Sequence, residues 1–149
     1  MRHLRGFTLV ELLVVFALMA LMVSIVPPAY DRLQEGSQYR DAVRGLLSNI
    51  RQARTRAMSE GREVRLVMDL AGHTYGVEGA AVHKLPQKVE LRATIAGIEM
   101  AANGQAAIRF LPSGGATGGT IELRRASGGG VRLTVDWLSG AVLQAPVQP

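Results

Sequence analysis

Cysteine is absent from the 149 residues. That excludes a disulfide framework, a thiolate metal site and a cysteine nucleophile. It leaves the compartment open, because an exported chain need not carry a disulfide. Aromatic side chains make up only 5%, too few for the stacking platforms of a single-strand binder. His3, His73 and His83 are scattered without H-x-x-x-H spacing, so no metal is expected. Ser113 and Ser139 lack the G-x-S-x-G elbow, and Asp69, Glu78 and Glu90 show no pairing as acid and base. The glycine-rich run Gly114-Gly115-Ala116-Thr117-Gly118-Gly119 lacks the G-K-[ST] ending of a phosphate loop and precedes a strand pattern, not a helix. No catalytic residue, cofactor or enzymatic activity is therefore expected.

What remains is a chain long enough for one ordinary domain with a tail or anchor. Hydrophobic residues are 48% and charged residues 19%, which excludes a disordered polyampholyte. Seventeen basic against twelve acidic side chains give a net charge of +5. That balance admits nucleic acid, an anionic membrane or an acidic partner without choosing among them.

The apolar residues are concentrated at one end. Phe7 to Val26 reads FTLVELLVVFALMALMVSIV, with Glu11 its only charge and Thr8 and Ser24 its only other polar side chains. At about 1.5 Å per residue this run is about 30 Å long, the thickness of a bilayer core. A buried core helix is the ordinary alternative, but a domain this small could hardly wrap it. Arg2, His3 and Arg5 precede the span, and Asp31, Arg32 and Glu35 follow it. This asymmetry keeps the N-terminus cytoplasmic and exports the remainder. A cleaved signal peptide shares the basic start, but the run ends Ser24-Ile25-Val26-Pro27-Pro28 with no A-x-A site.

Glu11 is the informative residue. A carboxylate in the middle of a membrane helix costs about 2.5–3.5 kcal/mol, less near an end, so it marks a function and calls for a partner. Arg5 could serve in the uncut chain. After a cut before Phe7, the new α-ammonium would lie four residues away, about 6 Å along a helix axis.

The residues Gly6-Phe7-Thr8-Leu9-Val10-Glu11, behind a short basic leader and ahead of a long apolar run, resemble the N-terminus of type IV pilins and type II secretion pseudopilins. The resemblance implies that a prepilin peptidase cuts between Gly6 and Phe7 and N-methylates Phe7. It also implies that Glu11 pairs with the terminal amine of a neighbouring subunit during assembly. Glycine before the scissile bond offers no side chain to obstruct a protease. Pro27-Pro28 stands where the span should leave the bilayer, as a helix end or a bend.

From Tyr30 to about Ser59 the pattern turns amphipathic, with Tyr39, Val43, Leu46, Leu47, Ile50, Ala53 and Ala57 at three- and four-residue steps, and Gly61 stops the helix. Glu63 to Leu70 alternates, with Val64, Leu66, Met68 and Leu70 on one face. Ala71-Gly72 is a turn and His73–Val77 the return strand. Further strands are expected over 88–95, 107–111, 120–125, 131–137 and 141–144, with the glycine runs 114–119 and 128–130 as hairpin loops. No strand–helix alternation follows, so the sheet should be antiparallel. The predicted fold is α+β: a long N-terminal helix, transmembrane in its first half, packed on an antiparallel β-sandwich or curled sheet. The expected segments are a leader at 1–6, a transmembrane helix at 7–27, its amphipathic continuation at 28–61 and a periplasmic β-domain at 62–149.

The stretch from Phe110-Leu111-Pro112-Ser113-Gly114 through Thr120–Leu123 and Val131–Val135 to Ser139-Gly140-Ala141-Val142, with Ala53-Arg54-Thr55-Arg56-Ala57 ending the helix, is similar to the H-type minor pseudopilin of type II secretion and its type IV pilus counterparts. Members of that group often show Gly-Arg-Val where this chain has Gly140-Ala141-Val142. The resemblance implies a subunit of a short periplasmic filament at the inner membrane that helps export folded proteins. Its partners would be other pseudopilins, major and minor, the prepilin peptidase and the inner-membrane secretion platform. Arg40, Arg44, Arg51 and Arg54 fall within about 80° on a helical wheel. They form either a solvated flank or a contact with acidic residues of a neighbouring subunit or with DNA. The alternative is a minor pilin of a type IV pilus, including kinds that take up DNA. The segment Ser139–Pro149, without Lys or Arg, speaks against DNA binding. Outside the family, the rival is a soluble exported β-domain. Loss of residues 1–6 removes Arg2 and Arg5, leaving fifteen basic against twelve acidic side chains, or +3.

Overall fold

The computed structural model describes residues 8–95, 104–126 and 128–148, with side chains left undescribed over 24–34. Gly6 and Phe7, between which cleavage is expected, and the expected leader 1–6 lie outside the described residues. The chain forms two compact units, 1–37 and 38–149. Helical backbone, α1, runs over Leu9–Glu60 and continues through Pro27 and Pro28.

In the first unit Thr8 opens the helix. Its Oγ1 accepts a hydrogen bond from the Glu11 amide at 3.3 Å, and its carbonyl accepts one from Leu12 at 3.2 Å. Thr-x-x-Glu is the pattern of a capping box, in which a hydroxyl satisfies a first-turn amide that has no partner within the helix. The large apolar side chains from Leu9 to Val23 are all exposed. Among the described residues no helix is long and apolar enough to cross a membrane. The span expected over 7–27 includes Phe7 and the side chains of 24–27, which lie outside the described set.

In the second unit the amphipathic stripe is the packing face. Tyr39, Val43, Leu46, Ile50, Ala53 and Ala57 are buried, with Ala42, and Leu47 packs beside them. Asn49 is buried among them and is satisfied by donating through Nδ2 to the Gly45 carbonyl at 3.0 Å. Gly61 ends the helix at φ +64°, a left-handed conformation that glycine adopts without Cβ strain.

Eight strands follow: β1 (Val64–Asp69), β2 (Thr74–Val77), β3 (Val82–Lys84), β4 (Val89–Ile95), β5 (Gln105–Phe110), β6 (Gly119–Arg125), β7 (Gly130–Val135) and β8 (Val142–Val147). They build two four-stranded antiparallel sheets, ordered β3-β2-β1-β5 and β4-β6-β7-β8. The register stacks apolar residues across each sheet. Leu66 lies between Val77 and Ile108, and Ile121 between Ala93 and Leu133. Phe110, Met68, Leu123 and Val135 join them in one core that the helix shares. The helix meets both sheets. The Tyr39 hydroxyl donates to the β6 carbonyl of Leu123 at 3.0 Å, and the Tyr75 hydroxyl of β2 lies so near Gly45 that a Cβ there would collide with it.

Three expectations are corrected. The run 114–119 is not a simple hairpin loop. It turns back on β5, bridging Phe110 to Ala116, and then crosses to β6 in the other sheet. The run 128–130 does close the β6–β7 hairpin, with Gly130 already the first residue of β7. The strand expected over 131–137 ends at Val135, which leaves Trp137 in a turn, and the strand expected over 141–144 extends to Val147. Strand β3 was not foreseen: all three of its residues are exposed, so it has no alternation to read.

Candidate functional site

Glu11 stands in the first turn of α1, exposed, with Thr8 beneath it. The partial positive charge of the helix start favours a carboxylate there. Its placement is thus a helix end. Around and beyond it Leu9, Val10, Val14 and Val15 are open on every side of the helix. Such a surface must be covered by lipid or by other helices.

The four arginines of the expected stripe do not act alike. Arg40, Arg44 and Arg51 are exposed, and Arg44 reaches Asp41 at 3.9 Å with both side chains largely in solvent. Arg54 is half-buried: its Nε donates to the Ser139 carbonyl at 2.9 Å and to the Gly114 carbonyl at 3.2 Å. It therefore fastens the β5–β6 crossover and the β7–β8 turn to the helix. Arg40 and Arg44 border a depression of about 350 Å³ floored by Tyr39, Val43, Leu47 and Val131. Arg51 and Arg54 border another of about 410 Å³, closed by Gly140, Ala141 and Val142.

Sequence reasoning passed over Arg125, whose guanidinium lies 4.3 Å from the centre of the Tyr39 ring. Such stacking joins a cation to the negative face of the ring. Burial raises the Tyr39 hydroxyl above its ordinary 10.0, and the Arg125 charge opposes that shift. It also passed over the turn Asp136-Trp137-Leu138-Ser139-Gly140. The Asp136 carboxylate accepts from the Ser139 amide at 2.8 Å and hydroxyl at 2.7 Å. The Ser139 side-chain bond, aided by the Ser139 amide, holds that carboxyl below its ordinary 3.8. An Asp three residues before Ser-Gly was the available signal. His83 stacks on Tyr75 with ring centres 5.5 Å apart. Among the described residues no three His, Asp or Glu side chains gather as metal ligands.

A family model described as type II transport protein GspH matches residues 42–140, two thirds of the chain. The chain belongs to the GspH family. A second model, the prokaryotic N-terminal methylation motif, matches residues 1–27 of this GspH-family chain. Type II secretion system protein H of Xanthomonas campestris pv. campestris is 31% identical over 147 residues, covering 99% of this chain and 86% of that protein. The solved minor pseudopilin EpsH of Vibrio cholerae superimposes with TM-score 0.58 at 11% identity, over 72% of this chain and 96% of that one. The type IV minor pilin FimU of Pseudomonas aeruginosa gives TM-scores of 0.54 and 0.57 in two crystal forms at 15% identity, over 74% and 78% of this chain and 96% of each of those. The last two establish the α+β pilin-like fold of the GspH-family chain and nothing finer.

Proposed function

We propose that this chain works by assembly, as a minor pseudopilin of type II secretion: a subunit of a short pseudopilus built with other pseudopilins. The observation that carries this reading is an apolar helix open on all faces from Leu9 to Val23 and headed by Glu11 in its first turn, joined to a GspH-family domain. The bare helix needs a bilayer before assembly and neighbouring helices after it. Membership of the methylation-motif family over 1–27 supports cleavage between Gly6 and Phe7 by a prepilin peptidase, with N-methylation of Phe7. The inner membrane would hold the subunit by residues 7–27, the leader 1–6 being cytoplasmic. The continuation 28–61 and the β-domain 62–149 would be periplasmic, and the secretion platform would draw the subunit into the filament.

Glu11 would leave lipid when the terminal ammonium of an adjacent subunit meets it. In a low dielectric, a subunit one step out of register would keep a buried charge unpaired, so the pair selects register. The fold is shared by a secretion pseudopilin and a pilus minor pilin, and the GspH match over 42–140 favours secretion. Mass spectrometry of the native N-terminus tests the reading. N-methylphenylalanine at Phe7 is expected, and Gly6→Val should leave an uncut chain visible as a missing mobility shift. A native polypeptide beginning at Met1 or beyond Pro28 would sink it.

A further inference from the structure

Three arginines converge on one depression with no acid among its lining residues. Arg40 and Arg44, one turn apart on α1, Arg125 at the end of β6 and the amide of Gln144 on β8 border the hollow of about 350 Å³ whose floor is Tyr39 and three aliphatic side chains. Like charges four residues apart on a helix oppose each other, and a third cation adds to the repulsion. Asp41 reaches Arg44 at 3.9 Å, with both side chains largely in solvent. Among the described residues no carboxylate pairs with Arg40 or Arg125. The cluster is anchored on its β side. The Arg125 guanidinium lies over the Tyr39 ring, and that ring is itself fixed, being buried with its hydroxyl donating to the Leu123 carbonyl. Stacking engages the face of a guanidinium, while its N–H donors lie in the plane. One cation is thus held in place before any ligand arrives, which lowers the ordering cost of binding.

The arrangement selects among anions. A carboxylate has two oxygens in one plane and is satisfied by a single forked arginine. Guanidinium groups arriving from a helix and from a sheet suit a tetrahedral phosphate, whose oxygens point in several directions. A polynucleotide needs a track of cations along a surface, and here the three border one hollow with an apolar floor. A bare phosphate ion would leave that floor wet. We propose that Arg40, Arg44 and Arg125 bind the phosphate group of a phosphate ester, whose carbon skeleton lies on Val43, Leu47 and Val131. A phospholipid headgroup and a soluble phosphate ester both carry this chemistry. The site goes beyond the filament reading and does not depend on it.

Isothermal titration calorimetry of the full chain in a nonionic detergent tests the site, with dihexanoylphosphatidylglycerol and glycerol 3-phosphate as probes. One saturable event per chain is expected. The double variant Arg40→Gln/Arg44→Gln should weaken it by about tenfold or more. Both side chains are exposed, so its thermal unfolding should match the parent's. Arg125→Gln should weaken binding as well. Comparison with the parent removes the heat of lipid entering micelles, which the variants share. Tighter binding of the lipid assigns the headgroup as the source, and tighter binding of glycerol 3-phosphate assigns the soluble ester. Inorganic phosphate, lacking a carbon skeleton, should bind more weakly than the better ester. Arg51→Gln, which lines a different hollow, should leave the affinity unchanged. The proposal is overturned if neither ester binds saturably, or if Arg51→Gln costs as much affinity as the double variant. It is also overturned if glutarate or inorganic phosphate binds as tightly as the better ester, or a duplex oligonucleotide more tightly.

Discussion

Arg54 shows how much one side chain can decide. A helical wheel puts it beside Arg40, Arg44 and Arg51, yet its Nε reaches a carbonyl 85 residues further along the chain. Nothing local distinguishes it, because the partner is brought there by two sheets that the wheel does not contain. Its loss should be felt as stability. Arg54→Ala removes charge-assisted bonds to the Gly114 and Ser139 carbonyls, and we expect a loss of about 1.5–3 kcal/mol, at the lower end because the site is partly open. Urea unfolding of the full chain in detergent measures it, and Arg51→Ala, with no such bonds, should change the midpoint little. Asp136 gives a pH dependence of known sign. Its carboxyl is held below its ordinary 3.8 by Ser139. The contribution is therefore complete above that value and is lost as pH falls through the depressed one. Trp137 next to it reports the change: its near-ultraviolet circular dichroism should hold steady at neutral pH and weaken only in that acid range, and Asp136→Asn should shift or abolish the transition.

At the scale of the element, patterns with one buried face were legible and the others were not. Strand β1 alternates Val64, Leu66, Met68 inward against Arg65 outward, and the sequence shows it because each residue meets a different medium. Strand β3 is wet on both sides and gives no signal. The glycine-rich crossover at 114–119 carries the same letters as a hairpin loop, and only the pairing of β6 with β4 and β7, not with β5, separates the two. The second half of α1 is the most legible element, since its 3.6-residue period faces one continuous core. Leu46 and Leu47 test this reading. Leu46 is fully buried and Leu47 is half-covered at the edge of the core. Leu46→Ala should cost about 2–5 kcal/mol, and Leu47→Ala clearly less. Equal effects in chemical denaturation would mean that the helix packs on a different face.

For the whole molecule, the two ends of the chain differ in kind. The domain's topology depends on contacts far apart in sequence, so the order β4-β6-β7-β8 could not be read from strand patterns alone. The N-terminal motif is local: glycine, phenylalanine and a glutamate at the head of an apolar run speak for themselves. A competing role for that glutamate follows from spacing: the Glu11 amide donates to the Thr8 hydroxyl, and Thr-x-x-Glu is the pattern of a capping box, in which the Glu11 side chain would turn back to the Thr8 amide. Two substitutions separate the roles. Glu11→Ala removes the charge and the side-chain half of such a box while keeping the amide bond to Thr8, and Glu11→Gln keeps a side chain that can still cap while removing the charge. If Glu11 matters by starting the helix, the glutamine variant should assemble like the parent. If it matters by meeting an ammonium of the next subunit, glutamine cannot replace it, since an amide in hydrocarbon leaves that ammonium without a counter-charge. We expect both variants to be cut and methylated at Phe7, because membrane insertion becomes easier when the carboxylate is removed. We expect both to be depleted from crosslinked complexes with other pseudopilins, on the order of tenfold, with processed subunit accumulating in the membrane. Full incorporation of Glu11→Gln, scored by immunoblot against the membrane pool, would move the residue's role from the filament to the helix.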